Sequence, residues 1–280
     1  MTATVSAVRN TLSESAFLTS EMRARRVEVS QDVYAHLWVT GDTKKLLDEY
    51  VQVSLPWDPI EGAVRNRWHL ENLQRYVNPV EPPVFVNLGA GFTSYSLLFP
   101  HFSRTIEADL PAVIQYKQEK YQDYLALGLI PAHAIEFQEI DLDTTAGLDK
   151  LEQQLGDWIV GKPSFLILEG VSAYLKPESL QRLFKLCATL QQPGSFFAFD
   201  FWEPSAVDNG LYIATQEFWR SYFDFADTRY NLIDLDYLQA FPEYRVLEHT
   251  EAESLAYRYI PGYANSQRIF PEHYVLVQRV

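Results

Sequence analysis

Four short polar stretches of this 280-residue chain are of types that could act together on one ligand: Gly89-Ala90-Gly91, Asp109, Asp141-Leu142 and Glu169-Gly170. Each ends or closely follows a strand-like run. Gly89 and Gly91 lack Cβ atoms, so the backbone can turn sharply there and a ligand can lie against the main chain. Asp109 stands 20 residues after Gly89, about the spacing that sets a carboxylate under a ribose diol. Asp141 has the chemistry to accept from an adenine amino group. Glu169 follows Phe165-Leu166-Ile167-Leu168, and an acid at a buried strand end needs a partner or a function. Plainer roles stay open for each: Asp109 as a helix cap, Asp141 as the cap of the turn Asp141-Leu142-Asp143-Thr144, Arg65 as a solvated helix residue and Tyr174 as core. A dinucleotide fingerprint would place Gly or Ala where this chain has Ser94, which demotes a nicotinamide ligand.

The elements that must position these residues follow from local pattern. Val84-Phe85-Val86 after Pro82-Pro83 reads as a buried parallel strand. From there apolar runs alternate with amphipathic segments, the pattern of a parallel sheet with helices on both faces. Strands are predicted near 84–88, 104–108, 135–140, 164–169 and 195–201, with helices near 93–99, 111–127, 148–156 and 177–191. Pro111 and Pro177 sit at first helical turns, and Gly128 and Pro193-Gly194 at helix ends. Two last strands, Arg245–His249 and His273–Val280, form an expected closing antiparallel hairpin.

Ahead of the sheet, residues 1–13 read as polar and loose. Amphipathic helices are predicted from Ser15 to about Trp38, over 42–55 (stopped by Pro56) and from Ile60 to Tyr76, with a turn at Trp57-Asp58-Pro59. Residues 1–80 therefore read as a helical cap on an α/β domain of residues 81–280. Residues 202–242 break the alternation and carry Tyr212, Phe218, Trp219, Tyr222, Phe223, Phe225, Tyr230 and Tyr237, which predicts a helical insertion lying over the site as a lid.

Composition excludes several classes. A net charge of −14 argues against a nucleic-acid or anionic-membrane partner, both of which need clustered Lys and Arg. No apolar stretch of about 18 residues occurs, and the N-terminus lacks a signal-peptide pattern, so a cytoplasmic protein is expected. The single cysteine, Cys187, falls on the apolar face Leu180, Leu183, Phe184, Leu190 and reads as a buried structural thiol. Histidines at 36, 69, 101, 133, 249 and 273 show no metal-ligand spacing, and no metal site is expected. The pattern leaves oligomeric state open.

A ligand that uses all four polar stretches is S-adenosyl-L-methionine. Its ribose suits Asp109, its adenine amino group Asp141, its methionine end an acid and an arginine, and its sulfonium an aromatic face. It has no phosphate, in keeping with the lack of a Lys-Ser/Thr phosphate loop.

The motifs Asn87-Leu88-Gly89-Ala90-Gly91, Glu107-Ala108-Asp109-Leu110-Pro111 with Lys117, and Glu169-Gly170-Val171-Ser172-Ala173-Tyr174-Leu175, with Arg23-Ala24 before them, resemble the leucine carboxyl methyltransferase-like family from about residue 15 to 200. The resemblance implies a class I methyltransferase fold: a Rossmann-like, mostly parallel seven-stranded sheet with an antiparallel last strand, using S-adenosyl-L-methionine. It implies that Gly89 lies against the cofactor, Asp109 holds the ribose, and Asp141-Leu142 contacts adenine. It implies further that Glu169 faces the methionine moiety with Tyr174 nearby as the catalytic candidate. Arg65 best matches the arginine on the methionine carboxylate, with Arg67 the alternative, and Arg23 matches a second basic contact. The chain departs from the family after the glycine turn, with Thr93-Ser94 for Asp-Thr and Leu98 for an arginine.

Three activities are compatible with these residues. One is methyl transfer to an oxygen of a small metabolite or a carboxylate. Another is an intramolecular cyclisation that consumes the cofactor, releasing methylthioadenosine and forming azetidine-2-carboxylate. The third is non-catalytic nucleoside binding.

Overall fold

The computed structural model describes residues 13–54, 59–222, 230–264 and 269–280. The predicted turn at Trp57-Asp58, the aromatics Phe223 and Phe225, and residues 1–12 lie outside the described residues.

Seven strands form one sheet: β1 Val84–Leu88, β2 Arg104–Asp109, β3 Ile135–Glu139, β4 Ser164–Leu168, β5 Phe196–Trp202, β6 Tyr244–Glu251 and β7 Glu272–Arg279. Their order is β3-β2-β1-β4-β5-β7-β6. The first five run parallel, and β7 lies antiparallel between β5 and β6. β1 and β4 are buried at every position, as their mostly apolar runs require in a sheet covered on both faces, Asn87 and Ser164 included. From β1 the chain first builds outward through β2 and β3, then returns to place β4 on the other side. The crevice at the carboxyl ends of β1 and β4 is thus the topological switch point.

Alternating side chains sort into two cores. Val84, Val86, Leu166, Leu168, Phe197 and Phe199 face helices Thr145–Ile159 and Pro177–Leu190. Phe85, Phe165, Ile167, Ala198, Tyr274 and Leu276 face helices Pro59–Tyr76 and Ala252–Tyr259. Each large apolar side chain so buried contributes roughly 1.5–3 kcal/mol. The helix Thr145–Ile159 starts on the Thr144 hydroxyl, which accepts from the Gly147 amide at 3.1 Å. Gly147 has to be glycine, because a Cβ there would stand 1.8 Å from the Asp141 carbonyl oxygen.

Ahead of the sheet lie helices Ser13–Arg25, Val27–Ser30, Gly41–Ser54 and Pro59–Tyr76. The stretch from Ser15 to Trp38, read as one or two helices, forms two, after which Gln31 has a left-handed φ of 57° and a short 3₁₀ turn follows at Ala35–Leu37. Within 202–242 the described elements are 3₁₀ turns Pro204–Asp208 and Leu235–Ala240 and the helix Gly210–Tyr222. The helix predicted near 93–99 shortens to Tyr95–Leu98, its start delayed by the turn that Thr93 closes on the Ala90 carbonyl at 3.1 Å. The last two strands pair antiparallel but are not joined as a hairpin. Helix Ala252–Tyr259 stands between them, burying Ala252, Leu255 and Ala256, an i, i+3, i+4 face too short to register as a periodic signal.

Cys187 is fully buried in the Pro177–Leu190 helix, and burial pushes its thiol up to about 12. A thiol reagent at neutral pH is therefore expected to leave the native protein unlabelled and to label it once denaturant is added. Labelling of the native state, followed by mass spectrometry, would place the thiol elsewhere. Among the described residues no helix is long and apolar enough to cross a membrane, and no group of His, Cys, Asp and Glu is arranged to hold a metal ion.

Candidate active site

A cavity of about 220 Å³ opens at the switch point. Its wall includes Gly89, Gly91, Asp109, Asp141, Leu142, Glu169 and Tyr174, so stretches up to 85 residues apart in sequence meet there. Gly89 turns the chain with a φ of +68°, and a Cβ on it would lie 2.3 Å from Val171 Cγ2. Because valine is stiff at χ1, that contact cannot be relieved by rotation alone. Gly89→Ala is expected to destabilise the fold by about 2 kcal/mol or more, through left-handed strain and the clash together. Chemical denaturation with an unchanged midpoint would contradict the turn geometry.

The glycine turn is held from beneath by buried polar groups. Lys117 pairs with Glu107 at 2.6 Å and donates to the carbonyls of Thr93 and Ala90. Asn87 Nδ2 donates to Thr93 Oγ1, which donates to the Ala90 carbonyl. Thr93 is thereby spent within the turn. Ser94 is buried and accepts from the Trp38 indole. Leu98 packs against the core carrying Phe85 and Phe165. The departure from the family motif thus leaves a closed turn with no charge in it.

Asp109 closes the other side of the turn. Its two oxygens accept from the Gly91 and Leu110 amides, each at 2.6 Å. Burial raises its carboxyl above the usual range, opposed by those two amides and by Lys117. Each oxygen keeps a lone pair free of these bonds. Asp141 uses Oδ1 to accept from the Asp143 amide at 2.9 Å, so the capping role is real; its other oxygen has no hydrogen bond to a described residue.

At the far end sits a cluster of charge. Arg65 is buried and lines the cavity. Its Nε donates to Glu169 at 3.1 Å, and its Nη1 to Glu272 at 2.9 Å and Glu61 at 3.4 Å. Glu169 also accepts from the Tyr95 hydroxyl at 2.5 Å. Burial alone would raise the Glu169 carboxyl, but Arg65, His69 and Arg23 outweigh it and hold it below the usual value. Glu272 goes the other way: burial raises it despite Arg65, with Asp200 adding to the rise. Arg65 Nη2, packed near Gly170, makes no hydrogen bond to a described residue. Arg67 instead pairs with Glu71 and stacks on Tyr259, away from the cavity.

Arg23 is not in the cavity wall. Its guanidinium bonds to Asp32 at 3.1 Å, to the Phe92 carbonyl at 2.8 Å and to Ser20, fully buried. It fixes the N-terminal helix to the glycine turn. Tyr174 lines the cavity beside Trp202 and Tyr230, and burial drives its phenol well above the usual range.

A sequence profile of the leucine carboxyl methyltransferase family matches residues 18–188. The chain belongs to the leucine carboxyl methyltransferase family. Its fold is that of the class I methyltransferases, and the cofactor of this class is S-adenosyl-L-methionine. Among curated relatives, a candidate S-adenosyl-L-methionine-dependent methyltransferase of Mycobacterium marinum is 30% identical over 142 residues, covering 50% of this chain and 45% of that protein. One from Mycolicibacterium paratuberculosis is 28% identical over 171 residues, covering 58% and 51%. The chain thus spans about half the length of the curated relatives it matches. Among solved structures, a DUF574 family protein from Streptomyces avermitilis superposes with a TM-score of 0.65 at 11% identity, covering 95% of this chain and 97% of that one. Magnesium protoporphyrin IX methyltransferase from Synechocystis, with bound S-adenosylhomocysteine, gives 0.51 at 12% identity, covering 93% and 100%. At such identities the likeness is one of fold.

The wall fits the methyltransferase cofactor on its own chemistry. A carboxylate with free lone pairs stands at the end of β2, an unbonded carboxylate oxygen after β3, and a guanidinium edge with an unused Nη2 at the end of β4. Sequence reasoning missed Glu61, Glu272, Trp202 and Phe270. Glu61 carried a faint signal, being one helical turn before Arg65. Glu272 carried none, since a strand-opening acid ordinarily reads as solvent-facing.

Proposed function

We propose that this methyltransferase-family chain binds S-adenosyl-L-methionine in the switch-point cavity and transfers its methyl group to an oxygen of a small acceptor. The observation that carries the reading is the convergence of Gly89, Gly91, Asp109, Asp141 and Glu169 on one cavity wall. In this reading Gly89 and Gly91 let the ligand lie against the backbone, Asp109 takes the ribose hydroxyls, and Asp141-Leu142 takes adenine. Arg65 Nη2 takes the methionine carboxylate, and Glu169 stands beside the methionine amine. The cofactor supplies a methyl group already activated by a sulfonium. The residues of the chain have to position the acceptor in line and exclude water. Tyr174, held as a neutral phenol by its surroundings, can donate a hydrogen bond to the acceptor oxygen and orient it.

A free carboxylate acceptor, which the family name suggests, is poorly served by this wall, where Glu61 and Glu169 flank a single Arg65. An uncharged hydroxyl fits better: its oxygen bonds to the methyl carbon as the carbon–sulfonium bond breaks to leave S-adenosylhomocysteine, and its proton passes to a carboxylate of the wall and on to solvent.

Size favours a second reading. Pockets that hold one drug-sized ligand run from about 300 Å³ upward. A cavity of about 220 Å³ therefore leaves an acceptor room beside the cofactor only toward its open mouth. With no acceptor admitted, the cofactor's own amine would be the nucleophile, releasing methylthioadenosine with azetidine-2-carboxylate. Glu61 and Glu169 oppose this by favouring the protonated amine.

One incubation separates these readings. Methyl-labelled cofactor is supplied with and without a panel of hydroxylated acceptors, and the sulfur product is identified. Label in an acceptor with S-adenosylhomocysteine supports methyl transfer. Methylthioadenosine from cofactor alone supports cyclisation. Tight binding with neither product leaves a nucleoside-binding protein.

A further inference from the structure

We propose that the acceptor bound in this cavity is an organic cation: a small molecule with an apolar or aromatic body whose ammonium is anchored by Glu61 against an aromatic wall. The proposal rests on the methyl-transfer reading and names the acceptor class for the same cavity.

The first argument is charge. Glu61, Asp109, Asp141, Asp143 and Glu169 face the cavity; Asp143 pairs with Lys176 at 3.0 Å outside the wall, and Arg65 is the one cationic side chain among the described residues of the wall itself. Arg65 is already shared by Glu61, Glu169 and Glu272. Its remaining edge is the one assigned above to the cofactor carboxylate. An anionic acceptor would therefore enter a wall that offers it no partner, losing hydration and meeting like charge. A cation meets the opposite conditions.

The second argument is the aromatic part of the wall. Tyr174, Trp202 and Phe270 line the cavity, with Trp202 centred 4.7 Å from Phe270 and 5.9 Å from Tyr174. The Trp202 indole donates to Glu272 at 3.2 Å, and Glu272 holds Arg65. The aromatic wall and the acid cluster thus share an edge. Aromatic faces next to a carboxylate recognise ammonium groups through ring quadrupole and charge together. Leu18, Thr19, Met22 and Thr215 also line the cavity and bring no charge to it.

Calorimetry with S-adenosylhomocysteine alone comes first, and absence of binding there overturns the methyl-transfer reading and this proposal with it, whereas failure at the next step overturns this proposal alone. The saturated protein is then titrated with phenethylamine and with hydrocinnamate, probes of similar size and opposite charge at about pH 7.5. Phenethylamine is expected to bind about tenfold tighter or more. Glu61→Gln is expected to cut that ratio to about threefold or less by removing the anchoring charge. Phe270→Leu keeps the carboxylate and removes one aromatic face, so it should weaken the amine by about threefold with no gain for the acid. Equal or tighter binding of hydrocinnamate overturns the proposal. So does a preference unchanged in both variants, or failure of either probe to bind the loaded protein.

Discussion

Asp109→Ala is expected to lose about a hundredfold or more in affinity for S-adenosylhomocysteine, or about 2.7 kcal/mol. The size of the effect follows from the double duty of one carboxylate. Asp109 accepts from the Gly91 and Leu110 amides, so removing it frees the glycine turn and the start of helix Pro111–Ala126 together. The same change deletes the acceptor proposed for the ribose hydroxyls. Asp109→Asn separates the two roles. An amide oxygen can still accept from one backbone N–H, but its NH₂ then faces the other donor, so turn and ribose contact are each half preserved. An intermediate affinity is expected, with a smaller loss of melting temperature than in Asp109→Ala. Calorimetry decides: binding of the alanine variant within a few-fold of the parent would remove Asp109 from the site.

The largest stability effect is expected at Arg65. Arg65→Met leaves Glu61, Glu169 and Glu272 in a buried cluster without its cation. Removing one partner of a buried pair costs about 3–5 kcal/mol, much of it from the charge left behind. The pH dependence carries the signature. Glu169 is held below its ordinary value of 4.5, so its contribution to stability is present above that value and is lost as pH falls through the depressed one. In Arg65→Met that depression disappears, and the carboxylates of the cluster are raised instead. The variant then gains stability as they protonate on the way down toward pH 4.5. The gap between parent and variant is therefore expected to be widest near neutral pH and to narrow in mild acid. Urea denaturation across that range measures it, and a gap that stays constant would mean the cluster is not charged in the parent. Arg65→Lys should recover part of the loss at neutral pH, since one ammonium can meet two carboxylates but not three in fork geometry.

Much of the sheet was legible from local pattern. The runs at 84–88 and 164–169 read as strands because a parallel strand covered on both faces is mostly apolar, and 104–108, which carries Arg104 and Glu107, reads as one from its place in the alternation. Glu169 stands out for the complementary reason, as a charge after a run that otherwise excludes charge, and Asp109 by its spacing from Gly89; both line the cavity. Arg23 lies outside the cavity wall, and sequence could not show this because a buried arginine in a motif looks the same whether it meets a ligand or a main-chain carbonyl such as that of Phe92. Helix Ala252–Tyr259 was missed because two turns carry too few periods to stand out. The choice between Arg65 and Arg67 could not be made from sequence, because the two lie on different faces of a helix whose orientation is set only by what it packs on.

The order of apolar runs, glycines and terminal acids along the chain thus determined that there would be a Rossmann-like sheet with a nucleoside-sized opening at its switch point. Those are local properties, written in spacings of a few residues and read through hydrophobic burial and backbone freedom. The charge and shape of the acceptor end were decided only by tertiary structure. Arg65 meets Glu169 across 104 positions and Glu272 across 207, and Trp202 reaches Glu272 across 70. Such contacts leave no period or motif in the sequence. They exist because β7 inserts beside β5 and carries Glu272 under the helix that holds Arg65.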